Sequence, residues 1–187
     1  MDFKREIKRK LFHQLSLSIP VGYWFLDRSI VLKILVPIAV TVLVVDIVRF
    51  NIPWFQNLFM KIFGVIVREH ETRYFTGSTF LLSAAVIVIY FFPKNYAILS
   101  LIIVTISDAC AALTGKKFGK IRIFEKTLEG SLAFLATALF IGLIIPDIDY
   151  FHGIIAAVSA TIIELIPMPI DDNFLIPIGT CLVLYFI

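Results

Sequence analysis

The chain has 187 residues, 59% of them hydrophobic, a formal net charge of +3 and a mean hydropathy of +0.94. It is more apolar than a soluble domain, and its apolar residues come in long unbroken runs, which excludes an ordinary soluble enzyme or a disordered tail. The composition points to a single, all-α, polytopic integral membrane domain covering residues 1–187.

The two cysteines, Cys110 and Cys181, both lie in apolar runs and read as small core residues, not as a disulfide or a metal site. Met1–Lys10 carries five of the 17 Lys and Arg residues and reads as a helical cytoplasmic lead-in on the anionic lipid surface. The first span is expected over 11–26, with Tyr23 and Trp24 as an interfacial belt. It carries no small-residue cleavage site behind it and reads as a retained helix rather than a signal peptide. Asp27 and Arg28 make an outer turn, and a second span follows over 30–48. Residues 51–67 mix Trp54, Phe55, Phe59 and Phe63 with Gln56, Asn57 and Lys61, the pattern of an amphipathic helix along the interface. A polar connector (68–77) leads to spans over 78–92 and 96–113. A Gly/Lys-rich loop follows over 114–130, then spans over 131–145, 151–166 and 174–187. No internal repeat is evident.

These seven spans put the two termini on opposite sides. Five cations fall in the first ten residues, four between Arg49 and Arg73, and five in the Gly/Lys loop. Only Arg28, Lys33 and Lys94 lie elsewhere. This asymmetry fixes the N-terminus and the Gly/Lys loop in the cytoplasm. It also gathers Asp46, Asp108, Glu164, Asp171 and Asp172 near the inner face.

The stretch Ser107–Gly130 is the one most suggestive of chemistry. Asp108 sits inside an apolar run, where a carboxylate is costly and usually functional. Lys116, Lys117, Lys120, Arg122 and Lys126 follow, punctuated by Gly115, Gly119 and Gly130. A carboxylate for Mg²⁺ beside cations and exposed N–H groups for phosphates is what a metal–polyphosphate complex requires. The plainer alternative is a packing acid paired to a lysine, beside a topology signal. Asp171–Asp172–Asn173 offers oxygen ligands for a hard cation, or else a helix cap. Glu164 reads as a ligand, a base, or the partner of a loop lysine. His13, beside Lys10, reads as an orienting or proton-shuttling group, or as an interfacial polar residue. Arg68, Glu69, His70 and Arg73 form a mixed-charge connector, and Thr76–Gly77–Ser78 a tight helix start with free N–H groups. The P-loop pattern is absent.

These motifs resemble the CTP-dependent polyprenol kinase family, which includes dolichol, phytol and diacylglycerol kinases. The resemblance rests on Lys10–Leu11–Phe12–His13, Thr76–Gly77–Ser78–Thr79, and Asp108-x-x-Ala111-x-x-x-Gly115-(x)3-Gly119. Lys126–Thr127–Leu128–Glu129–Gly130, Glu164 and Asp171–Asp172–Asn173 complete it, and it covers nearly the whole chain. It implies transfer of the γ-phosphate of CTP to a lipid alcohol, with Mg²⁺. Asp108, Asp171 and Asp172 are the expected metal ligands, and Asp108, Glu164, Lys126 and His13 the expected catalytic residues. The nucleotide is expected to meet Lys116, Lys117, Gly119, Lys120, Arg122, Thr127, Glu129, Gly130 and Asn173. The expected partners are CTP, a lipid alcohol in the bilayer and membrane lipids, with no nucleic acid, and the expected place is the cell inner membrane. Two alternatives stand beside this reading. One is a phosphatidate cytidylyltransferase, whose C-terminal Gly-His-Gly-Gly run is not seen here. The other is a transporter, whose acids would lie at the midplane rather than at one face.

Overall fold

The computed structural model describes residues 3–68 and 70–187; Met1 and Asp2 of the basic lead-in, and Glu69 of the connector, lie outside the described residues. The basic lead-in is part of α1 (Phe3–Gln14), which a 3-10 turn over Leu15–Leu17 separates from α2 (Ser18–Phe25). A single first helix over 11–26 was expected; Pro20 explains the break. Proline has no N–H to donate to the carbonyl four residues back, and its ring crowds that carbonyl. The Ser16 and Ser18 hydroxyls instead donate to the His13 and Leu15 carbonyls, at 2.6 and 2.7 Å.

Next come α3 (Arg28–Asn51) and α4 (Pro53–Phe63), the latter beginning with a proline at its first position, where a missing N–H costs nothing. α5 (Gly77–Phe91) is capped by the Thr76 hydroxyl, which accepts from the Thr79 N–H. α6 (Lys94–Phe118) runs five residues beyond the expected stop at Leu113. Gly115 therefore lies inside the helix, and the break comes at Gly119. A two-residue antiparallel hairpin follows, β1 (Arg122–Ile123) and β2 (Lys126–Thr127), with Arg122 opposite Thr127. The remaining helices are α7 (Leu128–Ile144), α8 (Tyr150–Leu165) and α9 (Asp172–Tyr185). Each is capped by the side chain of the residue before it, Thr127, Asp149 and Asp171.

Among the described residues the fold is all-α apart from this hairpin. Among the described residues two helices, α3 with 24 residues and α6 with 25, are long and apolar enough to cross a bilayer. α5, α7, α8 and α9 are apolar but shorter, at 14 to 17 residues. α6 is the central helix, packed by α1, α2, α7 and α9. Small residues allow the close approach: Ala97, Ala138, Ala156, Ala157 and Ala160 are fully buried. At the α7–α8 crossing, a Cβ on Gly142 would stand 2.5 Å from the Gly153 carbonyl oxygen, so no larger residue fits there. Much of the outer surface is apolar, with Ile34, Ile38, Leu132, Phe140, Phe151 and Ile162 exposed. A surface of that kind is made for lipid or a partner.

The bundle has two unlike ends. At one, the Arg28 guanidinium donates to the Phe92 carbonyl at 2.7 Å, Lys94 to the Leu26 carbonyl at 3.1 Å, and Asn95 to the Asp147 carbonyl at 3.1 Å. These tie the turn at Asp27 and Arg28, expected on the outer side, to the start of α6, and the start of α6 to the turn before α8. The opposite end carries α1, α4, the hairpin and, among the described residues, every ion pair except that of Asp149 with His152.

Candidate active site

Four cations and four carboxylates meet at that opposite end. Arg9, Arg68, Lys116 and Lys126 line a cavity of about 360 Å³ together with Asp108, Glu125, Glu164 and Asp172. A second cavity of about 390 Å³ shares Arg68, Lys126, Glu125 and Asp172 with it and extends to Asp171 and the turn before α9. The elements that supply these residues are far apart in sequence: α1, the connector, α6, the hairpin, α8 and α9.

Asp108 sits on α6, where it is ion-paired with Lys10 of α1. His13, one turn further along α1, has its Nε2 3.9 Å from the same carboxylate oxygen. This His13 nitrogen is buried and makes no hydrogen bond. Lys10 is itself buried, so each charge offsets the desolvation cost of the other. The plainer sequence reading of Asp108, an acid paired to a lysine, matches its local contact, and the lysine is Lys10 of α1.

Lys126 is the second centre. Its Nζ donates to Glu164 at 2.9 Å and to Asp172 at 2.6 Å. Glu164 is buried and also accepts from the Ser131 hydroxyl at 3.2 Å. Burial alone would push the Lys126 ammonium down, but Asp172 and Glu164 beside it hold it above the usual lysine range. Arg68 behaves the same way. Burial opposes its charge, and Asp171, Asp108 and Glu71 more than compensate. Arg68 donates to Asp171 at 2.9 Å.

The loop is closed by packing that only glycine permits. A Cβ on Gly115 would stand 2.6 Å from the Thr127 Oγ1, the atom that caps α7, and one on Gly130 would stand 3.0 Å from the Ala111 carbonyl oxygen. Glu129 reaches back and accepts from the Lys120 and Ile121 N–H groups at 2.9 and 3.4 Å. Thr127, Glu129 and Gly130 thus shape the hairpin and the start of α7.

The cations of this segment divide. Lys126 and Lys116 face the cavity, and Lys116 lies 3.7 Å from Glu6. Lys116 and Lys117 stand on the last turn of α6, where the helix dipole favours them, not in a loop. Lys117, Lys120 and Arg122 are exposed and do not line the cavity, and Lys117 lies over the Phe118 ring. Arg9 and Arg68 take their places. Arg9 was hidden in a run that reads as a topology signal, and Arg68 in a connector that reads as solvated. Asn173 is buried beside Gly77, at the wall of a different cavity.

Among the described residues no three His, Cys, Asp or Glu side chains are grouped to hold a metal ion by themselves. Asp108, Asp171 and Asp172, expected to act together, are instead held by Lys10, Arg68 and Lys126 respectively. Asp171 lines the neighbouring cavity, not the one that Asp108 lines, and caps α9. Asp108 and Asp172 do line one cavity. Mg²⁺ commonly takes one or two carboxylates and completes its shell with water and substrate phosphates. The donor set therefore fits a metal that arrives with a polyphosphate, and does not fit a resident protein-caged ion.

Asp46, also expected at this end, has a structural part. Its carboxylate accepts from Arg49 at 2.6 Å, from the Thr76 N–H at 2.8 Å and from the Thr79 hydroxyl at 2.6 Å. Arg49 in turn donates to the Glu71 and Tyr74 carbonyls at 2.9 and 2.6 Å, tying α3 to the connector and the start of α5.

No family model and no solved structure matches the chain. Curated relatives do. The chain is 32% identical over 191 residues to the uncharacterized protein RP860 of Rickettsia prowazekii (strain Madrid E), covering 97% of this chain and 94% of that one. It is 26% identical over 209 residues to the CTP-dependent diacylglycerol kinase 1 of Saccharomyces cerevisiae, covering 94% and 71%. It is 27% identical over 164 residues to the protein of the same name from Schizosaccharomyces pombe, covering 76% and 74%. With a cavity in which cations face carboxylates, and these relatives over most of its length, the chain belongs to the CTP-dependent lipid kinases, a family of phosphotransferases.

Proposed function

We propose that this protein is a Mg²⁺-dependent kinase that moves the γ-phosphate of CTP onto the hydroxyl of a lipid alcohol, at a site on the cytoplasmic face of a seven-span membrane domain. The observation that carries the reading is the cavity where Arg9, Arg68, Lys116 and Lys126 surround Asp108 and Asp172. Phosphoryl transfer asks a protein mainly for positioning and charge neutralisation, and that arrangement supplies both. The path of the chain supports seven passes. α1 with α2, α3, α5, α6, α7, α8 and α9 run alternately between the two ends, with α4 lying at the cationic one. The positive end faces the cytoplasm by the same asymmetry that orients the sequence.

In this reading the four cations hold the triphosphate, and Asp108 and Asp172 hold the Mg²⁺ that arrives with it. The metal supplies charge neutralisation for the phosphoryl group when bound. The lipid hydroxyl oxygen attacks the γ-phosphorus. The new O–P bond forms as the bond to the β-phosphate oxygen breaks, and CDP leaves. The hydroxyl proton passes to His13, whose Nε2 is buried without a hydrogen-bond partner 3.9 Å from Asp108. Glu164, which reads as a possible base in the sequence, is engaged by Lys126 and Ser131 and positions that lysine. The similarity to fungal diacylglycerol kinases favours diacylglycerol as the alcohol.

The test is purified protein with CTP and a panel of diacylglycerol, phytol, farnesol and dolichol, in Mg²⁺ and in excess chelator. Phosphorylated diacylglycerol formed only with Mg²⁺ is expected. No phosphorylated product from any of the four overturns the reading.

A further inference from the structure

A third cavity, of about 330 Å³, lies outside the charged one, between α1, α3 and α4. Its volume is in the range of small-molecule sites, roughly 300–1,000 Å³. Its walls are largely apolar, with Phe12 from α1, Val42 and Val45 from α3, and Phe59 and Phe63 from α4. The surface beside it is apolar and open, since Leu11, Val44 and Ile62 on the same three helices are exposed. One edge is polar and leads to the charged cavity. Arg9 lines both, and His13, on the wall of the apolar cavity, stands 3.9 Å from Asp108 on the wall of the other.

We propose that this cavity holds the acyl chain of the lipid alcohol and that His13 receives its hydroxyl. The occupant is set by what the walls offer. A tail entering past the exposed apolar side chains meets Val42, Val45, Phe59 and Phe63, and the polar residues Asp46, Glu71, Thr76, Ser78 and Asn173 line the rest of the wall with Arg9 and His13. Among these polar groups Arg9 Nε and His13 Nε2 are buried and have no hydrogen-bond partner, and His13 Nε2 is the one beside Asp108. A buried polar atom left unpaired is costly, so a ligand hydroxyl there is favoured over a hydrocarbon end. A hydroxyl bonded to His13 Nε2 lies beside Asp108, at the edge of the cavity proposed for the phosphates. An ordinary phospholipid fits this geometry less well, because its headgroup phosphate would have to occupy the nucleotide's cavity. This inference rests on the kinase reading, since it names where that reaction's second substrate binds.

The experiment uses the full-length protein in nanodiscs and a diacylglycerol with a photoreactive acyl chain. Crosslinks are expected on residues 42–63, competed by unlabelled diacylglycerol and not by phosphatidylcholine. Crosslinks confined to the exposed faces of α7 and α8, or equal competition by phosphatidylcholine, overturn the assignment. In parallel, Val45→Trp, which fills the cavity, is expected to raise the KM for a long-chain diacylglycerol about tenfold or more while leaving the KM for CTP within about twofold. His13→Ala is expected to lower kcat with the same lipid. An unchanged lipid KM in a folded Val45→Trp protein also overturns it. Competed crosslinks in a protein that phosphorylates no lipid support the cavity and sink the kinase reading, so the two failures are distinct.

Discussion

Lys126 is the residue where structure and proposed chemistry are hardest to separate, and a pair of variants separates them. Its ammonium bridges Glu164, whose side chain is 3% exposed, and Asp172, whose side chain is 28% exposed. Lys126→Met leaves Glu164 with only the Ser131 hydroxyl. Removing one partner of a fully buried pair costs about 3–5 kcal/mol, chiefly because a charge is left uncompensated. Lys126 is itself 31% exposed, so water offsets part of that cost. The expected loss is therefore about 2–3 kcal/mol. Lys126→Met with Glu164→Gln removes the stranded charge and should recover most of this stability. Activity should not recover, because the cation facing the triphosphate is still missing. Both variants are expected to lose on the order of 10²-fold in kcat/KM for CTP. Thermal unfolding in detergent reads the first quantity and CTP-dependent turnover the second. A double variant that is stable and nearly as active as the parent would refute the reasoning and leave Lys126 a structural residue only.

Asp108→Asn should fold, because Lys10 can still donate to the amide, but should lose about 10²-fold or more in turnover; near-normal turnover removes Asp108 from the chemistry. Lys116→Gln should raise the KM for CTP by about threefold to fivefold, the worth of a partly exposed contact, and more than Lys117→Gln, Lys120→Gln and Arg122→Gln combined. Equal effects would return the outer cations to the site. Thr127→Ala removes the cap of α7 and should destabilise by about 1 kcal/mol, read as a lower Tm, and an unchanged Tm would deny the cap a stabilising part. A cysteine placed at Lys117 should react with an impermeant reagent from the cytoplasmic side only; reaction from the outer side alone would invert the orientation.

The helices were legible because the apolar runs are long and Pro and Gly punctuate them. The expected spans over 78–92, 151–166 and 174–187 fall on α5, α8 and α9, whereas α7 begins at Leu128, ahead of the expected start at Ser131. Ser107–Gly130 was legible because an acid in an apolar run beside a Gly/Lys segment has few inexpensive explanations. Partner choice was not legible. Asp108 pairs with Lys10 across 98 residues, and Arg68 with Asp171 across 103, and nothing local encodes either contact. The loop cations looked equivalent in sequence. They diverge because α6 continues to Phe118, which turns Lys116 toward the cavity and Lys117 outward. Gly115 misled as a helix end; its role is to let the Thr127 hydroxyl approach. Arg9 and Glu6 were masked by a basic run whose charge already had an explanation in topology.

The position of the transferred label tests the central claim most directly. Purified protein in Mg²⁺ and diacylglycerol would be given CTP labelled at the γ-phosphorus and, separately, at the α-phosphorus. Only the γ-label is expected to reach the lipid, with CDP released in equal amount. Transfer of the α-label with release of pyrophosphate would contradict that claim and make the protein a cytidylyltransferase.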